Sequence, residues 1–192
     1  MPRAGLTAER VVEAAAELAD AVGLEYVTLS ALARSFGVKD ASLYSHVKNV
    51  RELRERVALL ASGEFAERLT AAVAGRAGKD ALAAFAAAYR AFALAHPGRY
   101  AATQLRLDPA SAAGSTAHAR VVETTYATFR AYGLAEPDLT DAVRLLRSTF
   151  HGFITLEAAG AFAHPRDPQA SWARAVDALH DTLTRWPAPA AD

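Results

Sequence analysis

Residues 28–46 read Thr-Leu-Ser-Ala-Leu-Ala-Arg-Ser-Phe-Gly-Val-Lys-Asp-Ala-Ser-Leu-Tyr-Ser-His, and this stretch decides the fold. Two short amphipathic runs flank Ser35-Phe36-Gly37-Val38-Lys39. In the first, Leu29, Leu32, Ala33 and Phe36 recur at helical spacing. Gly37 supplies a sharp turn, Val38 is expected to plug the junction, and Ala33 is small where the two runs would pack closest. The second run is expected as a short helix from about Asp40 to His46, with Leu43 and Val47 turned inward. Lys39, Asp40, Ser42, Tyr44, Ser45 and His46 are then left facing outward. Two short helices so arranged form a helix-turn-helix, whose second helix enters the major groove of DNA. Short polar side chains suit base edges, while Tyr44 and Lys48 suit phosphates. The competing reading is a small three-helix core with a solvated polar face.

The flanking sequence supports the first reading. Thr7 is expected to cap an opening helix, with Leu6 and Val11 as a hydrophobic staple and Gly23 as its end. Val11, Val12, Ala15, Leu18 and Ala19 give that helix an apolar stripe. Asn49 is expected to cap a long helix behind the motif, with Glu52 completing a capping-box-like pair. Between Arg34 and Arg56 stand Arg34, Lys39, Lys48, Arg51, Arg54 and Arg56 against Asp40, Glu52 and Glu55, so local charge is basic where the motif falls.

Leu43-Tyr44-Ser45-His46-Val47-Lys48-Asn49-Val50-Arg51-Glu52-Leu53 closely resembles the Leu-Tyr-x-His-Val-Lys-Asn-Lys-Arg-x-Leu signature of the TetR family of repressors, and residues 7 to 60 resemble that family's DNA-binding domain. The resemblance implies that Thr28, Ser42, Tyr44 and His46 fall on positions that touch DNA; Lys39, Ser45 and Lys48 complete the expected DNA-binding set. Two departures matter. Val50 stands where the family usually has a phosphate-binding lysine, which implies loss of that contact. Asp40 stands where the family often has a neutral or basic residue; it either caps the reading helix, the favoured reading, or accepts from a cytosine amino group.

Downstream the pattern stays helical, with no β-branched alternation. Helices are expected over about Lys79 to Ala95, Arg99 to Leu107, Ser115 to Tyr132, from a capping Asp138 to Phe162, and after a capping Asp167 with Pro168 at the first helical position. Pro109 to Gly114 is expected as a loop. The fold expected is all-α, with about nine helices. The expected domains are a helix-turn-helix domain over residues 1–50, linked through a helix over 49–75, and a helical ligand-binding and dimerisation domain over 51–187, followed by a frayed tail at 188–192.

Phe150-His151-Gly152 resembles the Trp-His-Gly motif that names one C-terminal domain type of the same family, with phenylalanine in place of tryptophan. The resemblance implies that the last two long helices pair with those of a second copy. Gly152, Ala159 and Gly160 would allow close approach, and Phe153, Leu156, Trp172, Val176, Leu179 and Leu183 would supply apolar area; alternatively these residues fill the chain's own core. Aromatic residues gather in the other helices. Phe65, Phe85, Tyr89, Phe92, Tyr100, Tyr126, Phe129 and Phe150 are expected, taken together, to line an apolar pocket, with Gln104, Thr125, Arg147 and His151 as polar contacts; taken singly, each ring reads rather as ordinary core.

The function expected is a sequence-specific regulator of transcription, a repressor released from operator DNA by a small, mostly apolar ligand. One short reading helix covers few base pairs, so a homodimer and an inverted-repeat operator are expected. The net charge is +0, which excludes a strongly basic nucleic-acid coat but not a local DNA face. The chain contains 0 cysteines, excluding disulfides and thiolate chemistry. No apolar run is long enough for a bilayer and no signal peptide is seen, so a cytoplasmic protein is expected. His46, His96, His118, His151, His164 and His180 are scattered, and Asp177 with His180 reads as a solvated pair. Without HExxH, GxSxG or a phosphate-cradling glycine loop, no enzyme, metal or cofactor is expected. A helical adaptor that has lost DNA binding is a third reading, resting on Val50 alone.

Overall fold

The computed structural model describes residues 6–108 and 114–186. The first five residues, nearly all of the expected Pro109–Gly114 loop and the expected tail lie outside the described residues. Among those described there are eight α-helices and no strand. They are α1 (Ala8–Val22), α2 (Leu29–Phe36), α3 (Val50–Val73), α4 (Gly78–Ala95), α5 (Pro97–Thr103), α6 (Thr116–Phe129), α7 (Asp138–Ala158) and α8 (Pro168–Thr184). The expected ninth, over Asp40 to His46, is a 3₁₀ turn at Asp40–Ser42 followed by hydrogen-bonded turns. Asp and Ser are poor helix formers, because their side chains compete for the backbone in non-helical turns.

The chain forms two compact units: Met1–Ala66 with Ala95–Arg120, and Glu67–Leu94 with Val121–Asp192. In the first, Thr7 Oγ1 accepts from Arg10 N at 3.3 Å and starts α1; Thr28 Oγ1 accepts from Ala31 N at 3.1 Å and starts α2. Each satisfies an amide that has no partner within its helix. Val11, Ala15, Ala16, Leu32, Ala33, Leu43, Leu53, Val57 and Ala61 are at most 1% exposed and form a contiguous apolar cluster. Leu6 packs on its edge, as the staple requires.

The same unit includes α5. A Cβ built on Gly98 would stand 2.0 Å from the backbone carbon of Ala19, so α5 crosses α1 with backbones in direct contact, and only glycine fits. Beside that crossing, Asp20 Oδ1 accepts from Arg99 N at 2.8 Å, and the Arg99 guanidinium pairs with both Asp20 and Glu64. His96 Nδ1 lies 3.3 Å from Asp20 Oδ2. Tyr100 meets Phe65 edge-on with ring centroids 6.4 Å apart.

The second unit is held by rings. Phe150 is fully buried, with its centroid 5.4 Å from Tyr89, 6.4 Å from Phe85 and 4.8 Å from Trp172. Arg90 closes one side: its Nε donates to Glu157 Oε2 at 2.7 Å, its terminal nitrogens reach Glu157 and Gln169, and the guanidinium lies 5.9 Å from the Trp172 ring centroid. The Glu157 carboxylate holds the Arg90 pKa above its ordinary value. Asp167 Oδ1 accepts from Gln169 N at 3.0 Å and caps α8, with Pro168 at its first position. Asp138 makes no side-chain cap and is instead the first helical residue of α7. That helix ends at Ala158, four residues before the expected Phe162, because Gly160 takes a left-handed φ of +64° and Ala161 N and Gly160 N donate back to Leu156 O and Glu157 O.

Candidate nucleic-acid interface

The first unit presents one short, well-braced polar segment. It begins where α2 ends. Gly37 is left-handed, at φ +65° and ψ 33°. Its amide donates to Arg34 O at 3.1 Å, and Val38 N donates to Ala33 O at 3.0 Å. This pair of bonds is a Schellman cap, which demands a residue tolerant of positive φ. Val38 is 37% exposed, so it does not plug the junction, whereas Ala33 is buried there.

The backbone then winds tightly. Ser42 N donates to Lys39 O and Leu43 N to Asp40 O, at 2.9 and 3.0 Å. His46 N and Val47 N both donate to Leu43 O, and Ser45 Oγ donates to Ser42 O at 2.8 Å. Leu43 and Val47 are the inward anchors, 0% and 2% exposed. Between and beside them Lys39, Ser42, Tyr44, Ser45 and Lys48 are exposed, and His46 is half-buried. Thr28 is exposed at the start of α2, its oxygen used as the cap. Asp40 does not cap the reading segment: its carboxylate accepts from Ser30 Oγ and ties α2 to the turn.

Behind the segment stands the start of α3. Asn49 Oδ1 accepts from Glu52 N at 2.9 Å, and Glu52 Oε2 accepts from Lys48 N at 2.6 Å, a reciprocal cap shifted one residue from the usual box. The Lys48 amide, and then Arg56, hold the Glu52 pKa below its ordinary value of 4.5. Two roles were not apparent from the sequence. Arg56 bridges Glu52 Oε1 at 2.8 Å and His46 O at 3.2 Å; the i, i+4 spacing announces the first contact but not the second. Arg54 donates to Glu25 O at 2.8 Å and Val27 O at 3.3 Å, across 29 residues of sequence, for which no local signal exists.

The other expected sites divide differently. Phe65, Tyr100 and Gln104 belong to the first unit, whereas Phe85, Tyr89, Phe92, Tyr126, Phe129, Arg147, Phe150 and His151 belong to the second. Phe85, Tyr89 and Phe150 come together around Trp172; Phe129 is buried and Tyr126 half-buried. Arg147 and His151 are exposed on α7. Of the residues expected at a dimer seam, Trp172, Val176, Leu179 and Leu183 are at most 6% exposed within the chain itself. A stripe at helical spacing looks the same whichever surface covers it, and here the chain's own core does. Leu156 is 49% exposed, Gly160 is exposed at its cap, and Gly152 and Phe153 are half-buried. A cleft of 330 Å³ lined by Phe153, Phe162, His164, Arg166 and Ser171 lies beside the end of α7 and shares no residue with the expected ligand set.

Known proteins carry the same arrangement. The model of the tetracyclin repressor-like C-terminal domain matches residues 82–179. The HTH-type transcriptional regulator YobS of Bacillus subtilis (strain 168) is 32% identical over 166 residues, 86% of each chain. The HTH-type transcriptional regulator Rv0681 of Mycobacterium tuberculosis is 37% identical over 161 residues, covering 82% of this chain and 72% of that one. Among solved structures, Mycobacterium smegmatis BioQ superposes with a TM-score of 0.71 at 25% identity, covering 95% of this chain and 100% of the other. A variant of TetR from Acinetobacter baumannii AYE, solved in complex with minocycline, superposes with a TM-score of 0.68 at 22% identity over 94% and 98% of the two chains, a likeness of fold. An exposed polar turn on two buried anchors, the match over residues 82–179 and relatives named as HTH-type regulators, matched over 86% and 72% of their length, lead to one conclusion: this chain is a DNA-binding transcriptional regulator of the TetR family.

Proposed function

We propose that this regulator is a repressor that binds an inverted-repeat operator as a homodimer, through Thr28, Lys39, Ser42, Tyr44, Ser45, His46 and Lys48, and leaves it when a small, mostly apolar molecule binds the helical unit. The observation that carries the DNA assignment is the turn itself: Leu43 and Val47 are buried while Tyr44 is 58% exposed, a large ring held outward on a rigid base. Its hydroxyl and the Lys48 ammonium suit phosphates; Ser42 and His46 suit base edges.

Dimerisation is supported by the outward face of α7, where Leu145 and Leu156 are 39% and 49% exposed with Ser148 and Gly152 between them, and by the exposed small residues Ala178 and Thr182 of α8. Trp172, Val176, Leu179 and Leu183 hold the protomer together instead. Ligand release is supported by the aromatic content of the second unit and by the minocycline complex of the Acinetobacter protein. Release requires that the ligand bind the non-DNA-binding conformation more tightly; a coupling of about 1–3 kcal/mol gives roughly 5–150-fold in affinity. The reading is of a regulator without catalysis, acting in the cytoplasm where its DNA lies.

The test is selection of duplexes from a randomised pool, followed by affinity measurement with Tyr44→Ala and Leu156→Glu. Tyr44→Ala should weaken binding to every sequence, and Leu156→Glu should give monomers that no longer retain the selected duplex. A wild-type monomer at micromolar concentration, or undiminished affinity in Tyr44→Ala, would refute the corresponding half of the reading.

A further inference from the structure

The basic residues around the helix-turn-helix do not form one electrostatic class. Arg34, Lys39 and Lys48 are exposed. Arg51 pairs with Glu55 at 3.1 Å on the outer face of α3. Arg54 and Arg56, though cationic and adjacent to the reading turn, place guanidinium nitrogens on the protein's own carbonyls, Arg56 with its side chain 38% exposed. Arg54 is half-buried and places one terminal nitrogen between the carbonyls of Glu25 and Val27, the loop that leads into Thr28. Arg56 places one nitrogen on Glu52 and another on the carbonyl of His46, the last residue of the wound segment. The two arginines therefore grip the two ends of the motif from the same turn of α3: the entry to α2 and the exit of the reading turn.

We propose that Arg54 and Arg56 are positioning residues for DNA reading, which fix the motif against α3 without touching phosphate, so that the phosphate-binding charge of this face resides in Lys39, Lys48 and Arg34. The physical case rests on what each end lacks. The His46 carbonyl ends a segment held by isolated turns, and Glu25 and Val27 lie in and just after the single 3₁₀ turn Leu24–Tyr26; neither has a ladder of backbone bonds to hold it. An arginine fork supplies fixed, charge-assisted donors where the backbone supplies none. Glu52 completes the device, since one of its oxygens holds Arg56 and the other holds the Lys48 amide, linking the brace to a residue that faces DNA.

A phosphate contact and a brace differ in salt dependence. Each phosphate neutralised contributes about 0.9 to the slope of log affinity against log salt; a brace contributes nothing. Using a duplex selected by the wild-type protein from a randomised pool, Arg54→Ala and Arg56→Ala should weaken binding tenfold or more at every salt concentration, with the wild-type slope. Lys48→Ala should lower the slope by about 0.9 per protomer. Glu52→Gln separates the readings by sign. If Arg56 were a phosphate ligand, removing its partner and a negative charge would tighten binding; as a brace, its release should weaken binding threefold or more. Should Arg54→Ala fail to fold, Arg54→Lys keeps the charge but loses the planar fork, and must bind more weakly at unchanged slope.

The proposal rests on the DNA-facing reading of Tyr44 and Lys48. A Lys48→Ala slope equal to wild type removes that reading and this proposal together. A normal Lys48 result with a lowered slope in Arg56→Ala, or tighter binding by Glu52→Gln, overturns this proposal alone.

Discussion

The cores of the two units are made of different materials. The cluster under the reading turn has only valine, leucine and alanine among its buried members, Val11, Ala15, Ala19, Leu32, Ala33, Leu43, Val47, Leu53, Val57 and Ala61 among others, with Phe36 on its edge; the buried rings of that unit, Phe65 and Tyr100, lie outside it. The second unit is centred on rings, with Phe85, Tyr89, Phe92, Phe129, Phe150 and Trp172 buried. Small aliphatic residues let helices approach until backbones touch, as Gly98 does on Ala19, and such a core has few alternative packings. Rings fill volume with flat faces that tilt and slide; their observed interplanar angles run from 34° to 71° around Phe150 alone. The contrast assigns tasks: rigidity where a turn must meet base edges to within fractions of an ångström, and adaptable volume in the unit proposed to accept a ligand.

Substitutions that exchange these qualities should be unequal in cost. The largest effect is expected at Gly98. Valine there would drive atoms into the α1 backbone, a clash no rotamer relieves, and the loss should exceed about 4 kcal/mol, read as absence of a folded transition in urea. Phe150→Ala should cost about 3–5 kcal/mol by leaving a cavity among Phe85, Tyr89 and Trp172. The contrast predicts more for Phe150: small apolar compounds should bind the cavity and restore part of the lost melting temperature, whereas none should rescue Gly98→Val. If Phe150→Ala remains at wild-type stability, the ring cluster is not the core of its unit.

Smaller effects separate local from global causes. Gly37→Ala must place a side chain at φ +65°, costing about 1–2 kcal/mol, with no steric clash because a Cβ there meets nothing within 4 Å. Its DNA affinity should fall more than its stability, since the strain sits in the reading turn. Gly152→Ala is the opposite case. Nothing lies within 4 Å of its Cβ, and alanine in mid-helix gains about 1 kcal/mol. If α7 also meets a second copy, the same variant should melt higher yet dissociate to monomers more readily, which light scattering across dilution would show.

The smallest effect is one of pH. The Lys48 amide and Arg56 hold Glu52 below its ordinary value of 4.5. A carboxylate whose pKa is depressed on folding contributes stability above its unfolded value, and that contribution is lost as pH falls through the folded value. Binding to a selected duplex should therefore be flat in Glu52 near neutrality and weaken below about pH 4.5, beyond the loss seen in Glu52→Gln. Identical acid profiles for the two proteins would remove Glu52 from the brace.

Features dictated by neighbours in sequence were legible. Thr7, Asn49 and Asp167 each cap a helix, as a short oxygen-bearing side chain before an apolar run should, whereas Asp138, read the same way, lies inside its helix. Leu43 and Val47 turn inward by spacing alone. Features that depend on distant partners were not. Nothing near Arg54 announces carbonyls 29 and 27 residues away. The stripe Trp172, Val176, Leu179 and Leu183 is apolar at helical spacing, which says that something covers it but not what. The wound segment from Asp40 to His46 reads as a helix because Leu43 and Val47 keep its period; its hydrogen bonds show only turns, since serine and aspartate compete for the backbone.

The crossing of α1 by α5 also imposes an order in time. Asp20 and Arg99 stand 79 residues apart in sequence. At a synthesis rate of about 5–20 residues per second, the ribosome releases α1 roughly 4–16 s before the helix that packs on it. In the later part of that interval, once Lys48 has been made, the emerging N-terminal segment carries every proposed DNA contact but lacks Gly98, Arg99 and Ala102, which seat against or beside α1. A nascent chain therefore acquires its finished reading head only after the translation machinery has moved well past the codons of α5.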